Sequence, residues 1–94
     1  MKYLQVRWIH SWPDEPVLYY MEIDADRWER RGVSIFADGT AAFADGHESH
    51  GREGLCPLPL PSIDVIASDP EFEPAEVTRV EFEQVWDQAK TRLR

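Results

Sequence analysis

Alternating apolar and polar positions open the chain. Residues 3–12 read YLQVRWIHSW, in which the even positions are the more apolar ones, as in a strand with one buried face. The prolines of PDEP at 13–16 end this pattern, and VLYYMEI at 17–23 continues it. If PDEP alone forms the loop, Trp12 lies opposite Val17 and Trp8 lies opposite Met21. The sequence therefore predicts an N-terminal hairpin.

Two further strands follow this hairpin. DAD at 24–26 predicts a turn, RWERRGVSIFA at 27–37 a third strand, and TAAFA at 40–44 a fourth. Asp38 and Gly39 stand between them, and this dipeptide is typical of a two-residue hairpin loop. Such a loop pairs Ile35 with Ala42.

The C-terminal half predicts two helices. Residues 55–61, LCPLPLP, form an extended crossing, and Ser62 caps a short helix through IDVIAS. Thr78 and Glu81 form a capping box, after which one apolar stripe comprises Phe82, Val85, Trp86, Ala89 and Leu93. The predicted fold is a single α+β domain over residues 1–94. It has a four-stranded antiparallel meander sheet, with the C-terminal helix and the short helix packed on one face.

Composition narrows the class of protein. A chain of 94 residues, 43% of them hydrophobic, is long enough for one core. Cys56 is the single cysteine, so no internal disulfide can form. No secretory leader and no long apolar run occur in the sequence. We therefore expect a soluble cytoplasmic protein that does not bind membranes.

Charge indicates the kind of partner. The net charge of −8 disfavours nucleic acid and favours a basic protein. Acids are concentrated between Asp64 and Asp87, where Arg79 is the single base, although such acids can also serve solubility alone. We predict partner contacts in this acidic segment, with Trp28 as an exposed aromatic anchor. The predicted contact residues are Asp69, Glu71, Glu73, Glu76 and Trp28.

Few residues of the sequence are candidates for catalysis or metal binding. DGHESHG at 45–51 contains His47 and His50, but it lacks the helical spacing and the further fixed ligands that a zinc site requires. Cys56 precedes a proline in an extended segment, which does not activate a thiol. His10, on the apolar side of the first strand, is interpreted as a hydrogen-bonded structural residue. The sequence thus predicts a protein without catalytic residues, metal or cofactor.

VRW at 6–8, the DG turn, DPEFE at 69–73 and EFEQVW at 81–86 resemble the pattern of a family of bacterial proteins of roughly ninety residues and unknown function. The positions that carry this resemblance are Leu4, Val6, Trp8, Asp38, Gly39, Phe82 and Trp86. Such small acidic proteins look like immunity proteins encoded beside bacterial toxins. The resemblance implies a protein that binds a cognate toxin domain and supplies no catalytic motif.

Three hypotheses follow from the sequence. The first is an immunity-type protein that neutralises a toxin by covering its basic surface. The second is a structural or regulatory module that self-associates, for example as a homodimer, through the second sheet face. The third is a small hydrolase or metal-dependent enzyme that uses His47 and His50.

Overall fold

An antiparallel sheet and two helices make up the computed structural model, which describes residues 1–47, 49–50 and 55–92. The strands are β1 (Lys2–Trp8), β2 (Leu18–Ile23), β3 (Glu29–Ile35), β4 (Ala41–Asp45), β5 (Ser49–His50) and β6 (Phe72–Glu76), and the helices are α1 (Ile63–Ala67) and α2 (Arg79–Arg92). The strand order across the sheet is β5-β4-β3-β2-β1-β6. The predicted α+β class and the meander from β1 to β4 are confirmed.

The sheet is wider than the four strands predicted. β6 pairs with β1, and the two-residue β5 pairs with β4. Four strands was therefore too few: the sheet has five strands of five residues or more, besides β5. The sequence of β6, FEPAE, carries a central proline, Pro74. A proline normally argues against a strand, but an edge strand tolerates it because its outward positions need no ladder hydrogen bond.

The two helices cover opposite faces of the sheet, which corrects the prediction that both lie on one face. α2 buries Phe82 and Trp86 against Val33 and Phe43. α1 lies over the other face, where the buried residues are Leu4, Val6, Met21 and Ile23. Because both sheet faces carry apolar side chains, each face needs its own cover.

The β1–β2 hairpin has a longer loop than predicted. β1 ends at Trp8, whose amide donates to the carbonyl oxygen of Val17 at 3.0 Å, and residues 9–17 form the connection. Leu4, not Trp8, lies opposite Met21, so the predicted register is wrong by four positions. An even shift leaves every side chain on its predicted face, but Trp12 lies outside the sheet and is 55% exposed.

The β3–β4 hairpin also differs from its predicted register. Phe36 and Thr40 close the loop, and Gly39 has a φ of 88°, as in a type I turn followed by a glycine bulge. This loop is one residue longer than the two-residue loop expected from the DG dipeptide. Ile35 consequently lies opposite Ala41 instead of Ala42. An odd shift exchanges the two faces of a strand, and Phe43 therefore faces α2.

Gly39→Ala is expected to lower the free energy of unfolding by about 1 kcal/mol, because a positive φ is unfavourable for a residue that carries a Cβ. No atom lies within 4 Å of the position of an added Cβ, so steric overlap adds nothing. Gly46→Ala is the matched control, since its Cβ position is equally open and its φ is outside the positive range. Urea denaturation of both variants checks this, and equal losses would contradict it.

α2 begins as the sequence predicts. The amide of Glu81 donates to Thr78 Oγ1 at 3.1 Å, and Glu81 Oε1 accepts from the amide of Thr78 at 3.5 Å. Phe82, Trp86 and Ala89 are buried in the core, which confirms the apolar stripe over these positions, while Leu93 lies outside the described residues. Nowhere in the described chain is a helix long and apolar enough to cross a membrane.

Candidate protein-binding surface

The predicted contact acids follow α1 and run along the edge strand β6. Asp69 Oδ1 accepts from the amide of Glu71 at 2.9 Å, and the main-chain carbonyl of Asp69 accepts from the amide of Phe72 at 3.0 Å. These bonds form a tight turn that leads from α1 into β6. Both acidic side chains are exposed, and within the described residues neither is in an ion pair.

Glu73 and Glu76 are separated from each other by the alternation of the strand. Glu73 lies opposite Arg7, with 3.8 Å between Oε1 and Arg7 Nε, and Glu76 Oε1 lies 3.9 Å from Lys2 Nζ on the other face. All four side chains are more than half exposed, so each pair contributes little to stability. Either ion pair can therefore be broken with little loss of stability, which leaves its carboxylate available to another cation.

Trp28 lies apart from these acids, in the turn between β2 and β3. Its amide donates to Asp24 Oδ1 at 3.0 Å, and its ring is 41% exposed. The preceding residue, Arg27, has a φ of 67° and donates from its side chain to the carbonyl oxygens of Leu60 and Pro61 at 2.8 and 2.6 Å. Arg27 thus fixes the proline segment (residues 55–61) against the sheet, and Trp28 stands beside that anchor.

An apolar groove, here called the sheet groove, lies between this proline segment, α1 and the sheet. Its volume is about 430 Å³, and Asp69 is the one acidic or basic residue among those that line it. The main apolar lining residues are Val6, Tyr19, Met21, Leu60, Ile66 and Phe72. α1 has five residues, none of them buried, and is too short to close the sheet face beneath it. An apolar concavity of this size is typical of a binding site.

Aromatic side chains extend the sheet groove past the end of β1. The ring of Trp8 stacks on Tyr19 and Phe72, with centroids 6.4 and 6.0 Å apart. The rings of His10 and Trp12 meet it in edge contacts, with centroids 4.3 and 5.7 Å away. Trp8 and Trp12 were both assigned to the core side of a strand. That assignment was wrong for Trp12, because the first strand stops four residues earlier.

A second concavity, the tryptophan pocket, opens at this aromatic cluster. Its volume is about 500 Å³, and it is lined by Trp8, Trp12, Pro13, Asp14 and Glu15. The indole Nε1 of Trp8 is buried and has no hydrogen-bond partner in the described part of the structure. Buried polar groups without partners are rare in native proteins and often mark sites that another molecule completes.

His10 fixes the loop that carries this pocket. Its Nδ1 accepts from the amide of Trp12 at 3.0 Å, which leaves Nε2 protonated to donate to the carbonyl oxygen of Pro16 at 2.7 Å. The hydrogen bonds expected of His10 are present, but the residue is half-buried in the loop after β1 and does not lie in the first strand. No group of three potential metal ligands occurs among residues 1–47, 49–50 and 55–92. His47 is exposed, while the side chain of His50 lies outside the described residues.

The strongest electrostatic cluster lies on the face of the sheet beneath α2. Arg31 donates two hydrogen bonds to Glu22, at 2.9 and 2.7 Å, and two to Glu83, both at 2.8 Å. Its guanidinium also lies 4.8 Å from the ring centroid of Phe82. Hydrogen bonds from Arg31 are the main reason why the pKa of Glu22 and of Glu83 is lowered. Because both carboxylates are bonded within the fold, this cluster stabilises the structure.

Fold and surface together define a small acidic α+β domain with an apolar groove and an aromatic pocket on one side of the sheet. The chain belongs to the family described as Domain of unknown function (DUF6881), whose family model matches residues 2–91. The resemblance to a family of unknown function is thereby confirmed. No curated protein and no solved structure matches the chain.

Proposed function

We propose that this protein is a non-catalytic, immunity-type binding protein of the cytoplasm that neutralises a cognate bacterial toxin domain by covering a basic surface. The observation that carries this proposal is the sheet groove, an open apolar concavity with the carboxylate of Asp69 in its lining. Contiguous exposed apolar surface beside charged groups is typical of protein-binding sites. The similarity to toxin-associated immunity proteins in length and acidity supplies the class of partner.

Charge and apolar surface have separate roles in this proposal. The net charge of −8 draws a basic partner by long-range attraction and accelerates encounter. Asp69 lines the groove and Glu71 follows it in the turn into β6, whereas Glu73 and Glu76 exchange their exposed partners Arg7 and Lys2 for partner cations. Burial of the groove then supplies most of the affinity, as in other interfaces where a few desolvated side chains dominate.

Trp28 is assigned to the far margin of the same interface. Arg27 links its turn to Leu60 and Pro61, both of which line the sheet groove. A partner that fills the groove and extends beyond the proline segment therefore reaches Trp28. In this proposal Asp69 and Trp28 lie at two ends of the covered surface, whereas Glu73 and Glu76 lie on opposite faces of the edge strand β6.

Self-association through the second sheet face is less well supported, because Leu60, Ile63 and Ile66 pack against that face. The edge of β6 is protected as well. The bonds from Ile9 to Glu71 and from Val77 to Tyr3 show that residues 71, 73, 75 and 77 turn their main-chain groups toward β1. Of the outward residues, Phe72 donates to Asp69 and Pro74 has no amide hydrogen. The outer edge of β6 therefore offers few main-chain groups to which a strand of a second copy could hydrogen-bond. The repulsion between two copies of charge −8 opposes pairing further.

Co-expression with the protein encoded immediately upstream of this chain, which the proposal expects to be the toxin, tests the proposal. We expect restored growth and copurification of the two proteins. Val65→Lys, which places a positive charge in the groove lining, is expected to weaken the complex about tenfold. Val80→Lys is the matched control, because Val80 is a similarly exposed helical valine, 66% against 57%, on α2. Continued toxicity without copurification would refute the proposal, and equal effects of the two variants would exclude the groove.

A further inference from the structure

The tryptophan pocket has the composition of a receptor for a positively charged group. Trp8 and Trp12 form its walls, with their ring planes inclined at 67°, and Asp14 and Glu15 complete the lining. The face of an indole ring carries negative electrostatic potential and attracts cations, and nearby carboxylates add to this attraction.

This protein already places cations over its other central tryptophan. Trp86 has the guanidinium of Arg31 at 5.2 Å and the ammonium of Lys90 at 5.5 Å from its ring centroid. Over the described part of the chain, no Lys or Arg side chain occupies the corresponding position at Trp8 or Trp12, and the ring of His10 packs against both. The interaction that is satisfied internally on the α2 face is therefore open to an external cation in the tryptophan pocket.

The pocket is preorganised by its loop. The His10 ring holds the main chain at Trp12 and Pro16, and the amide of Trp8 is bonded to Val17 at the base of the loop. Tyr19 and Phe72 support the Trp8 ring from the sheet side. A rigid site loses little conformational entropy on binding, which favours recognition of a single side chain.

We propose that the tryptophan pocket receives an arginine side chain of the partner. A guanidinium is planar and weakly hydrated, so it stacks on an indole while its edge donates to carboxylates, whereas a lysine ammonium provides only a compact charge. The aliphatic part of that arginine packs against Trp12, which is 55% exposed. The identity of the partner rests on the proposed function, but the chemistry of the pocket does not.

Small probes test the pocket without any toxin. N-acetyl-arginine amide is titrated into the protein, and the indole N–H resonances of the four tryptophans are followed by NMR. We expect saturable shifts of Trp8 and Trp12, with millimolar affinity, and none of Trp28 or Trp86. N-acetyl-citrulline amide, the neutral isostere, is expected to produce no saturable shift, and N-acetyl-lysine amide to bind more weakly. Equal binding of citrulline, or equal shifts at Trp28, would overturn the proposal, and equal binding of lysine would overturn the choice of arginine.

Variants locate the interaction. Trp12→Ala is expected to abolish the shift of Trp8, while Trp28→Ala, which removes another exposed indole, leaves it unchanged. The double variant Asp14→Asn, Glu15→Gln is expected to weaken arginine binding about fivefold, as two exposed ion pairs would. Asp87→Asn on α2 is its control. An unchanged affinity in the double variant would overturn the role of the acids.

The two proposals fail separately. If the arginine probe binds as expected but the toxin domain is neither bound nor neutralised, the proposed function is wrong and the cation pocket stands. If the toxin is neutralised but the probe does not bind, the pocket assignment is wrong. In the first case the expected partner is still a protein with an exposed arginine, but one that is not a toxin.

Discussion

Phe82→Ala is expected to lower the free energy of unfolding by about 4 kcal/mol, within the range of large-to-small substitutions in cores. Phe82 is fully buried, and its ring contacts Tyr3 and Trp86 with centroid separations of 5.3 and 6.3 Å. Its removal leaves a cavity at the centre of the α2 interface and withdraws the ring beneath Arg31. A loss of this size is a large fraction of the total stability of a small domain.

Urea denaturation, followed by tryptophan fluorescence and circular dichroism, measures this loss. Val80→Ala is the matched control on the same helix, because Val80 is 66% exposed and is expected to change the stability by less than about 0.5 kcal/mol. Phe82→Leu retains most of the buried volume and provides an intermediate value if the alanine variant does not fold. Similar losses for Val80→Ala and Phe82→Ala would contradict the packing face assigned to α2.

This helix could be predicted from sequence because its signals are local. The capping box from Thr78 to Glu81 and the apolar stripe through Phe82 and Trp86 lie within a few turns of chain. Local patterns of this kind do not depend on how distant segments meet. The strands of the meander were equally readable from the alternation of apolar residues, and their existence was confirmed.

The register of the paired strands could not be predicted from such local patterns. Register depends on loop length, and two loops differed from the simplest reading of their turn residues: the connection over residues 9–17 and the Gly39 loop. In the first, the ring of His10 bonds main-chain groups on both sides of the prolines, which no composition rule indicates. β6 was missed because Pro74 interrupts its pattern, although an edge strand accepts it.

The candidate surfaces were predicted least well because they join distant segments. The sheet groove combines residues of β1 and β2 with residues near position 60 and with Phe72. Alternation had assigned Trp8 and Trp12 to a buried face, and only the early end of β1 exposes Trp12. The acidic segment, in contrast, was visible directly from the spacing of its carboxylates, and the structure places Asp69 beside the groove.

Arg31 could not be singled out from the charged run RWERR at 27–31, in which each arginine has a similar local context. Two acids far apart in the chain distinguish it, one on β2 and one on α2, which become its neighbours only when the sheet and helix meet. The predicted hairpin register, with Trp8 opposite Met21, pairs Glu22 with Arg7 instead. The same register error that moved Trp12 also displaced this pair, and Arg7 lies opposite Leu18.

Arg31→Ala is expected to lower the free energy of unfolding by about 3 kcal/mol at neutral pH, because it leaves the buried carboxylate of Glu22 without its partner. The side chains of Arg31 and Glu22 are 20% and 10% exposed, so solvent screens their attraction only weakly. Arg79→Ala is the matched control. Arg79 lies 3.7 Å from the same Glu83, but it is 76% exposed, and its loss is expected to change the stability by less than about 0.5 kcal/mol.

Acid pH should narrow the difference between wild type and Arg31→Ala. The folded-state pKa of Glu22 lies below its ordinary value of 4.5, so its contribution is complete above that pH and is lost as the pH falls through the folded-state pKa. Glu83 has the same direction of shift and follows the same rule. The urea midpoints of wild type and Arg31→Ala should therefore differ less at about pH 3 than at about pH 7. An undiminished difference at the lower pH would show that Arg31 stabilises the fold through packing on Phe82 and Trp86, not through its carboxylate partners.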